Sequence, residues 1–144
     1  MTDSVADRHR PRTPPVAADV LIELIDRPGR PIVLIERRYA PLGYAIPGGF
    51  VEVGESVEQA AVREALEETS LVVRLTRLLG VYSDPARDPR GHTVGIVYVG
   101  EAVGEPLARD DAQAVLVADP RQPPPLVFDH ARILADYCRQ RFSA

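Results

Sequence analysis

Three glutamates, Glu64, Glu67 and Glu68, are the side chains whose types and spacing most clearly suggest chemistry. They lie in a segment without glycine or proline that is rich in strong helix formers, and on a helix they share one narrow sector. Like charges this close repel one another, so helix propensity gives no reason to place them together. A hard divalent cation gives one, because Mg²⁺ or Mn²⁺ takes oxygen ligands from a tight cluster. The alternative is an ordinary solvated acidic face.

The residues around this helix favour the cation. Gly48 and Gly49 follow a proline, and adjacent glycines let the backbone approach a ligand closely. Ser56 and Gln59 have the spacing of a capping box, which predicts a helix over residues 57–69. Arg63 precedes the first glutamate and can hydrogen-bond a neighbouring carboxylate, although an exposed surface arginine is an equal alternative.

Residues 49–71 resemble the signature of the Nudix hydrolases, G-x5-E-x7-R-E-U-x-E-E-x-G-U, in which U is an aliphatic residue. The matching residues are Gly49, Glu55, Arg63, Glu64, Ala65, Glu67, Glu68 and Leu71. Ala65 is smaller than the usual aliphatic residue, and Ser70 stands where the signature has glycine. At Ser70 we expect the left-handed conformation that ends a helix, at a cost of about 1 kcal/mol for serine.

The resemblance implies a role for each charged residue of the signature. The implied metal ligands are Glu64, Glu67, Glu68 and the carbonyl of Gly48. Glu64 is alternatively, or additionally, the group that orients the attacking water, and Glu55 is expected to brace Arg63. The implied cofactor is Mg²⁺, with Mn²⁺ as the alternative, because two cations neutralise a pyrophosphate, activate a water and stabilise the leaving phosphate.

Segments outside the signature are similar to the ADP-ribose pyrophosphatase-like branch of the family. These segments are residues 37–50, 83–98 and 127–134. The candidate substrate-binding residues are Arg37, Arg38, Tyr44, Arg87, Arg90 and His92. The arginines precede and follow the signature in two groups, which suits a pyrophosphate with a substituent on each side. A polar surface loop and aromatic packing on the sheet are the alternatives, and His130 is expected to be structural.

The resemblance implies hydrolysis of the pyrophosphate bond of a nucleoside diphosphate linked to another moiety, first of all ADP-ribose to AMP and ribose 5-phosphate. The alternatives are a pyrophosphohydrolase of nucleoside triphosphates such as oxidised dGTP, and a non-catalytic ligand-sensing module. The retained glutamates disfavour the sensor. Ala114 stands where relatives often carry a late glutamate. We therefore expect the metals and Glu64, rather than Asp110 or Asp111, to activate the water.

Length and composition favour one compact domain. The 144 residues carry a net charge of -4, and an acidic chain does not indicate binding to nucleic acid or to an anionic membrane. We predict a flexible arm over residues 1–15 and a single domain over residues 16–144. No apolar run reaches the ~20 residues of a membrane span, and the first residues lack the apolar core of a secretory signal, so a cytoplasmic location is expected. The resemblance also implies that the protein can form a homodimer, which is common in this branch.

The fold class is α/β. The resemblance implies a Nudix-type α/β/α sandwich with a mixed β-sheet, a catalytic helix after a glycine-rich loop, and a C-terminal helix. Val, Leu and Ile predict strands over residues 16–26, 31–37, 71–82, 93–103 and 112–117, the first two forming a hairpin. Residues 40–49 are predicted to be a loop, residues 50–53 a short extended piece, and residues 129–142 an amphipathic helix.

Overall fold

The computed structural model describes residues 10–143. Their elements are β1 (Val16–Leu24), β2 (Ile32–Arg37), β3 (Tyr44–Ala45), β4 (Gly48–Phe50), α1 (Val57–Thr69), β5 (Arg74–Tyr82), β6 (Val94–Ala102), β7 (Ala112–Ala118) and α2 (His130–Phe142). Most of the predicted arm, residues 1–9, lies outside the described residues, and residues 11–15 form no helix or strand. No helix in the described part of the chain is long and apolar enough to cross a membrane.

One mixed sheet contains all these strands, in the order β3-β2-β1-β6-β5, with β4 pairing with β1 and β7 with β2. β1 runs parallel to β6 and antiparallel to β2, which confirms the predicted hairpin. The other half of β1 pairs with β4, which sets Asp19 opposite Gly48. The glycine pair is therefore joined directly to the central strand of the sheet.

The two helices cover opposite faces of this sheet. On one face, Val20 and Ile22 of β1 belong to a buried cluster with the alanines of α1. On the other face, Leu21 belongs to a cluster with Ile133 and Tyr137 of α2. Successive residues of a strand point to opposite faces, so the apolar run of β1 supports both layers. The predicted α/β/α sandwich is confirmed.

Helix α1 begins and ends as the sequence predicts. The Ser56 side chain accepts a hydrogen bond from the Gln59 backbone, and the Gln59 side chain accepts one from the Ser56 backbone, so both halves of the capping box are present. Ser70 ends the helix with φ 65°, in the left-handed region. The side chain of Ala65 is completely buried. Its small size lets α1 lie close to the sheet, since a larger residue there would overpack the interface.

Several predicted boundaries are wrong in detail; β5, for example, begins at Arg74 rather than Leu71. Residues 40–49, predicted as a loop, contain strand β3 and the start of β4, because Ala45 and Gly48 pair with β2 and β1. Helix α2 begins at His130 rather than Asp129, and the Asp129 side chain makes no capping hydrogen bond. That carboxylate instead accepts two hydrogen bonds from Arg87.

Candidate active site

A cavity of about 420 Å³ opens where β4, α1 and the start of α2 meet. Gly48 lines it together with the signature residues Gly49, Glu64 and Glu68. The residues from elsewhere in the chain that matter most here are Asp19, Arg37, Arg87, Asp88, Arg90, Asp111, Phe128 and His130. Carboxylates and guanidinium groups thus face the same space, which is the arrangement needed to hold a cation and a phosphorylated ligand together.

Positions 48 and 49 require glycine because carboxylates occupy the space that a side chain would fill. A Cβ atom on Gly49 would lie 2.5 Å from the Glu64 side chain, and one on Gly48 would lie 1.8 Å from Asp19 Oδ1. The Gly48 N–H donates a hydrogen bond of 2.9 Å to Glu68 Oε1. Any larger residue at either glycine would therefore displace a carboxylate from the cavity.

Arg63 connects the carboxylates of the signature. Its Nε and Nη2 atoms donate to the two oxygens of Glu55, at 2.6 and 2.9 Å. Its Nη1 donates to Glu64 at 2.9 Å and to Glu67 at 3.1 Å, and Nη2 also reaches the Phe50 carbonyl. The expected contact between Glu55 and Arg63 is present, and it lowers the pKa of Glu55 through the hydrogen bonds from Arg63. Arg63 is therefore held in a fixed orientation, and it in turn orients Glu64.

The two innermost glutamates are costly to ionise without a cation. Glu68 is 4% exposed. Burial, and then the nearby charge of Glu64, raise the pKa of Glu68 from 4.5 to about 9. Burial also raises the pKa of Glu64, although the hydrogen bond from Arg63 opposes this. Buried acids without a neutralising charge are unfavourable in a structural role and are common at functional sites.

Asp19 was not among the predicted site residues. It lies on β1, 6% exposed, and lines the cavity with Glu64 and Glu68. Burial raises its pKa to about 7, against the opposing charge of Arg87. A signal was present in the sequence, because Asp19 is one of two acids, with Glu23, in the mostly apolar strand β1. Its neighbourhood depends on the pairing of β1 with β4, which the residue pattern alone does not reveal.

The donor set fits a divalent cation. Carboxylate and backbone oxygens are the ligands that Mg²⁺ and Mn²⁺ prefer, and Glu64, Glu68 and Asp19 are buried acids with raised pKa values. Within residues 10–143, no three His, Cys, Asp or Glu side chains lie together as a ready-made set of ligands. The reason is visible at Arg63, to which Glu64 and Glu67 are both hydrogen-bonded. Binding a cation therefore requires carboxylates to turn from Arg63 towards the cavity.

The cationic side of the cavity consists of Arg37, Arg90 and the ring of Phe128. The two guanidinium carbons lie 5.0 and 5.1 Å from the centre of that ring. Arg37 donates to the Pro41 carbonyl through Nε, and no carboxylate within residues 10–143 lies within ion-pair distance of it. Burial, and then the charge of Arg90, lower the pKa of Arg37. Phe128 holds its ring there with φ 57°, a strained backbone conformation typical of functional sites.

The other predicted substrate-binding residues are placed differently. Arg87 lines the cavity, but its side chain is 5% exposed and donates two hydrogen bonds to Asp129. Burial alone would lower the pKa of Arg87, but those hydrogen bonds, together with the charges of Asp129 and Asp19, raise it overall. Arg38 and Tyr44 are not among the residues that line the cavity. His92 lines a neighbouring cavity, and one of its ring nitrogens lies 3.1 Å from the Ser83 carbonyl oxygen.

The prediction of two arginine groups on either side of the signature is therefore wrong in its geometry. Arg37 and Arg90 meet at one aromatic ring instead of facing each other across the metal site. The reason is that Arg90 extends from its loop over both Phe50 and Phe128, 5.5 and 5.1 Å from the ring centres, while Asp88 fixes its guanidinium group. The two guanidinium groups on one ring therefore form a single positively charged wall of the cavity.

His130 is structural in the manner expected from the sequence. Its Nδ1 atom accepts a hydrogen bond of 3.0 Å from the Ile46 backbone N–H. Burial lowers the pKa of His130 to about 4, against the opposing charge of Asp129. The ring is therefore neutral near pH 7, with its proton on Nε2. It joins α2 to the segment between β3 and β4.

The late loop offers one acid to the cavity. Asp111 lines it, whereas Asp110 and Ala114 do not. Ala114 lies on β7 and pairs with Glu36 of β2. A glutamate at the Ala114 position is thus missing from this chain, and Asp111 is the acid that the late loop contributes to the cavity.

A model of the NUDIX domain matches residues 13–137 of this chain. That match covers more than half of the sequence and includes every residue of the signature. The chain therefore belongs to the Nudix hydrolase family, and it is a pyrophosphohydrolase. Nudix hydrolases generally use divalent metals.

Two curated relatives and one solved structure agree with this assignment. An ADP-ribose pyrophosphatase of Methanocaldococcus jannaschii is 47% identical over 129 residues, which cover 88% of this chain and 74% of the relative. A putative 8-oxo-dGTP diphosphatase of Bacillus subtilis is 41% identical over 75 residues, about half of each chain. A bifunctional NMN adenylyltransferase/ADP ribose pyrophosphatase of Francisella tularensis, solved with AMP and a manganese ion, superposes with a TM-score of 0.74. It is 25% identical, and the match covers 92% of this chain and 43% of that one.

Proposed function

We propose that this chain hydrolyses ADP-ribose to AMP and ribose 5-phosphate in a reaction that requires Mg²⁺, with Mn²⁺ as an alternative. The observation that carries the proposal is the division of one cavity into an acidic side, with Glu64 and Glu68, and a cationic side, with Arg37 and Arg90. A pyrophosphate bound with divalent cations presents charges that complement both sides. The relative named ADP-ribose pyrophosphatase, 47% identical, supports the choice of substrate.

The residues of the acidic side are assigned to metal binding and to the orientation of Glu64. When bound, divalent cations neutralise the pyrophosphate and lower the pKa of a coordinated water. Glu68, fixed by the Gly48 N–H, supplies a buried oxygen ligand, and Glu67 and the Gly48 carbonyl assist. Arg63, held by Glu55, fixes the orientation of Glu64. Of these groups Glu68 is already oriented by the Gly48 N–H, which reduces the reorganisation that catalysis would otherwise require.

Glu64 is the group that we assign to accept the proton of the attacking water. A general base works best when its pKa is close to the working pH, and burial raises the pKa of Glu64. Glu64 also lies beside the glycine pair, at the centre of the acidic side. Asp111 lines the cavity from the late loop, so it is the second candidate.

Arg37 and Arg90 are assigned to the phosphate oxygens. The half-buried guanidinium group of Arg37 has two terminal nitrogens that can form a bidentate contact with a phosphate. An anion between Arg37 and Arg90 would relieve their repulsion, which is the second-largest cause of the lowered pKa of Arg37. Arg38, Tyr44, Arg87 and His92 take no part in this assignment.

A nucleoside triphosphate such as oxidised dGTP is the second candidate substrate. The partial match to a putative 8-oxo-dGTP diphosphatase favours it, although that match covers about half of each chain. A panel of ADP-ribose, other nucleoside diphosphate sugars, dinucleotides and triphosphates tests both candidates with each metal. We expect the highest kcat/KM for ADP-ribose with Mg²⁺, and AMP and ribose 5-phosphate as products. A tenfold preference for oxidised dGTP would replace the proposal with the second candidate.

The metal assignment has its own test. Glu68→Gln keeps the size of the side chain and removes a charge that the cation needs. We expect a folded protein whose kcat falls by at least about 10²-fold, since several kcal/mol of electrostatic stabilisation is lost. Near-normal turnover with Mg²⁺ would contradict the assignment. The homodimer, the cytoplasmic location and the division into arm and domain remain predictions.

A further inference from the structure

We propose that Asp19, which lies outside the signature, is a further carboxylate ligand of the divalent cations. Its place on β1 brings it to Gly48, whose N–H binds Glu68. The inference rests on the proposed metal-dependent hydrolysis and extends its metal site to the central strand of the sheet. Asp19 would bind the cation itself.

The first reason is that Asp19 has no structural partner of the usual kind. Its side chain is 9% exposed, and its one ion-pair contact within residues 10–143 is His130 Nε2 at 3.9 Å. That distance is too long for a hydrogen bond. His130 also accepts a hydrogen bond from Ile46 through Nδ1, which keeps the ring neutral. Buried carboxylates are normally paired or bound to a metal, and this one is not paired.

The second reason is the comparison with Glu23, four residues further along the same strand. Glu23 is also buried, 3% exposed. Its carboxylate accepts a hydrogen bond of 2.5 Å from the Tyr137 hydroxyl and another from Arg30. The two acids lie on the same face of β1, because side chains alternate along a strand. Glu23 is neutralised by Tyr137 and Arg30, whereas Asp19 faces the cavity. Burial on this strand therefore does not by itself explain why Asp19 lacks a partner.

The third reason is the position of the Asp19 oxygen. It occupies the space where a side chain at Gly48 would begin, 1.8 Å from the ideal Cβ position. Glu64 occupies the corresponding space at Gly49. Both glycines therefore admit a carboxylate to the same cavity, one from β1 and one from α1. Asp19 and Glu68 would thus offer a cation oxygen ligands from two elements, β1 and α1, which one helix face alone does not.

The test measures Mn²⁺ binding directly, without substrate. Electron paramagnetic resonance titration gives the Kd for Mn²⁺, and thermal unfolding in EDTA gives the Tm of the metal-free protein. For Asp19→Asn we expect Mn²⁺ binding weaker by on the order of 10-fold or more, together with an unchanged or higher Tm in EDTA. The Tm should not fall, because the variant removes an unpaired buried charge.

Glu23→Gln is the matched control. It removes a buried carboxylate from the same face of the same strand, but one that Tyr137 and Arg30 already neutralise. We expect its Tm in EDTA to fall and its Kd for Mn²⁺ to stay at the wild-type value. Asp19→Asn should therefore weaken Mn²⁺ binding without lowering the Tm, and Glu23→Gln should lower the Tm without weakening Mn²⁺ binding. A general disturbance of β1 would change both quantities in both variants.

Each other outcome decides against the inference. A wild-type Kd for Asp19→Asn with a lowered Tm would make Asp19 a structural residue. Failure of both Asp19→Asn and Asp19→Ala to fold would lead to the same conclusion. If the wild-type protein itself binds no Mn²⁺, the proposed metal-dependent function fails, and the inference fails with it. If the wild type binds Mn²⁺ and Asp19→Asn binds it equally well, only the inference fails.

Discussion

Glu68 should make the stability of the metal-free protein depend on pH. Its pKa rises from 4.5 to about 9 in the folded protein, chiefly because the side chain is buried. Between these values the unfolded chain loses this proton while the folded protein retains it. The folded state is therefore penalised progressively as the pH rises through this window. The stability of the metal-free protein should fall between pH 7 and pH 9.

The size of the effect follows from the shift. The folded protein holds one proton more than the unfolded chain between pH 7 and pH 9. This difference lowers the free energy of unfolding by about 2 kcal/mol over the two pH units, after allowance for partial ionisation near the folded pKa. For a chain of this length that corresponds to a fall in Tm of about 5 °C. The window avoids His130, whose pKa is lowered to about 4, and lies at or above the pKa of about 7 for Asp19. Glu68 should therefore dominate the slope.

Thermal unfolding in EDTA, followed by circular dichroism at pH 7, 8 and 9, measures this slope. In Glu68→Gln the side chain cannot ionise, so the profile should flatten. Glu67→Gln is the control on the same helix, because the Glu67 side chain is 43% exposed and paired with Arg63, and it should keep the wild-type slope. Saturating Mg²⁺ should restore the Tm of the wild type at pH 9. A flat wild-type profile, or an equal slope in Glu68→Gln, would refute the electrostatic argument.

Three further predictions concern the helix end, the substrate and the base. Ser70→Ala should cost about 1 kcal/mol in urea denaturation, because the hydrogen bond from Ser70 Oγ to the Leu107 carbonyl is lost; Ser70→Gly should be nearly neutral, since relief of left-handed strain of about 1 kcal/mol offsets that loss. Equal losses in the two variants would show that the strain is absent. Arg90→Ala should raise KM for ADP-ribose with little change in kcat in steady-state assays, and a fall confined to kcat would contradict its role in binding. Asp111→Asn should lower kcat less than Glu64→Gln does, whereas the reverse order would assign the base to the late loop.

The parts of the site that could be predicted from the sequence are those formed by neighbours along the chain. The capping box at Ser56, the left-handed Ser70 and the contact between Glu55 and Arg63 all lie within or next to one helix. Helix geometry alone brings such residues together, so spacing is sufficient evidence. The hydroxyl contact of Ser70 with Leu107 was missed because its partner lies 37 positions away.

The parts that could not be predicted depend on pairings between distant segments. Asp19 reaches the glycine pair through the register of β1 against β4. Arg37 and Arg90 meet because Phe128, just before α2, places its ring between them. Arg87 carries the same charge as these two arginines, but it is buried against Asp129, whereas Arg90 remains about half exposed beside Asp88. Composition identifies an arginine as a candidate for phosphate binding, but only the fold decides which arginines are already paired.

The cavity as a whole contains repulsions that the salt bridges of Glu64 with Arg63 and of Arg90 with Asp88 relieve only in part. On the acidic side, Glu64 raises the pKa of Glu68, and on the cationic side Arg90 lowers the pKa of Arg37. Neutralising each cluster from within would have required only one further salt bridge of the kind that binds Arg87. A cation relieves the first repulsion and a phosphate relieves the second, so each ligand improves the site for the other. Binding of metal and of pyrophosphate should therefore be mutually reinforcing, and the same charges that cost the metal-free protein stability favour a pyrophosphate that binds together with divalent cations.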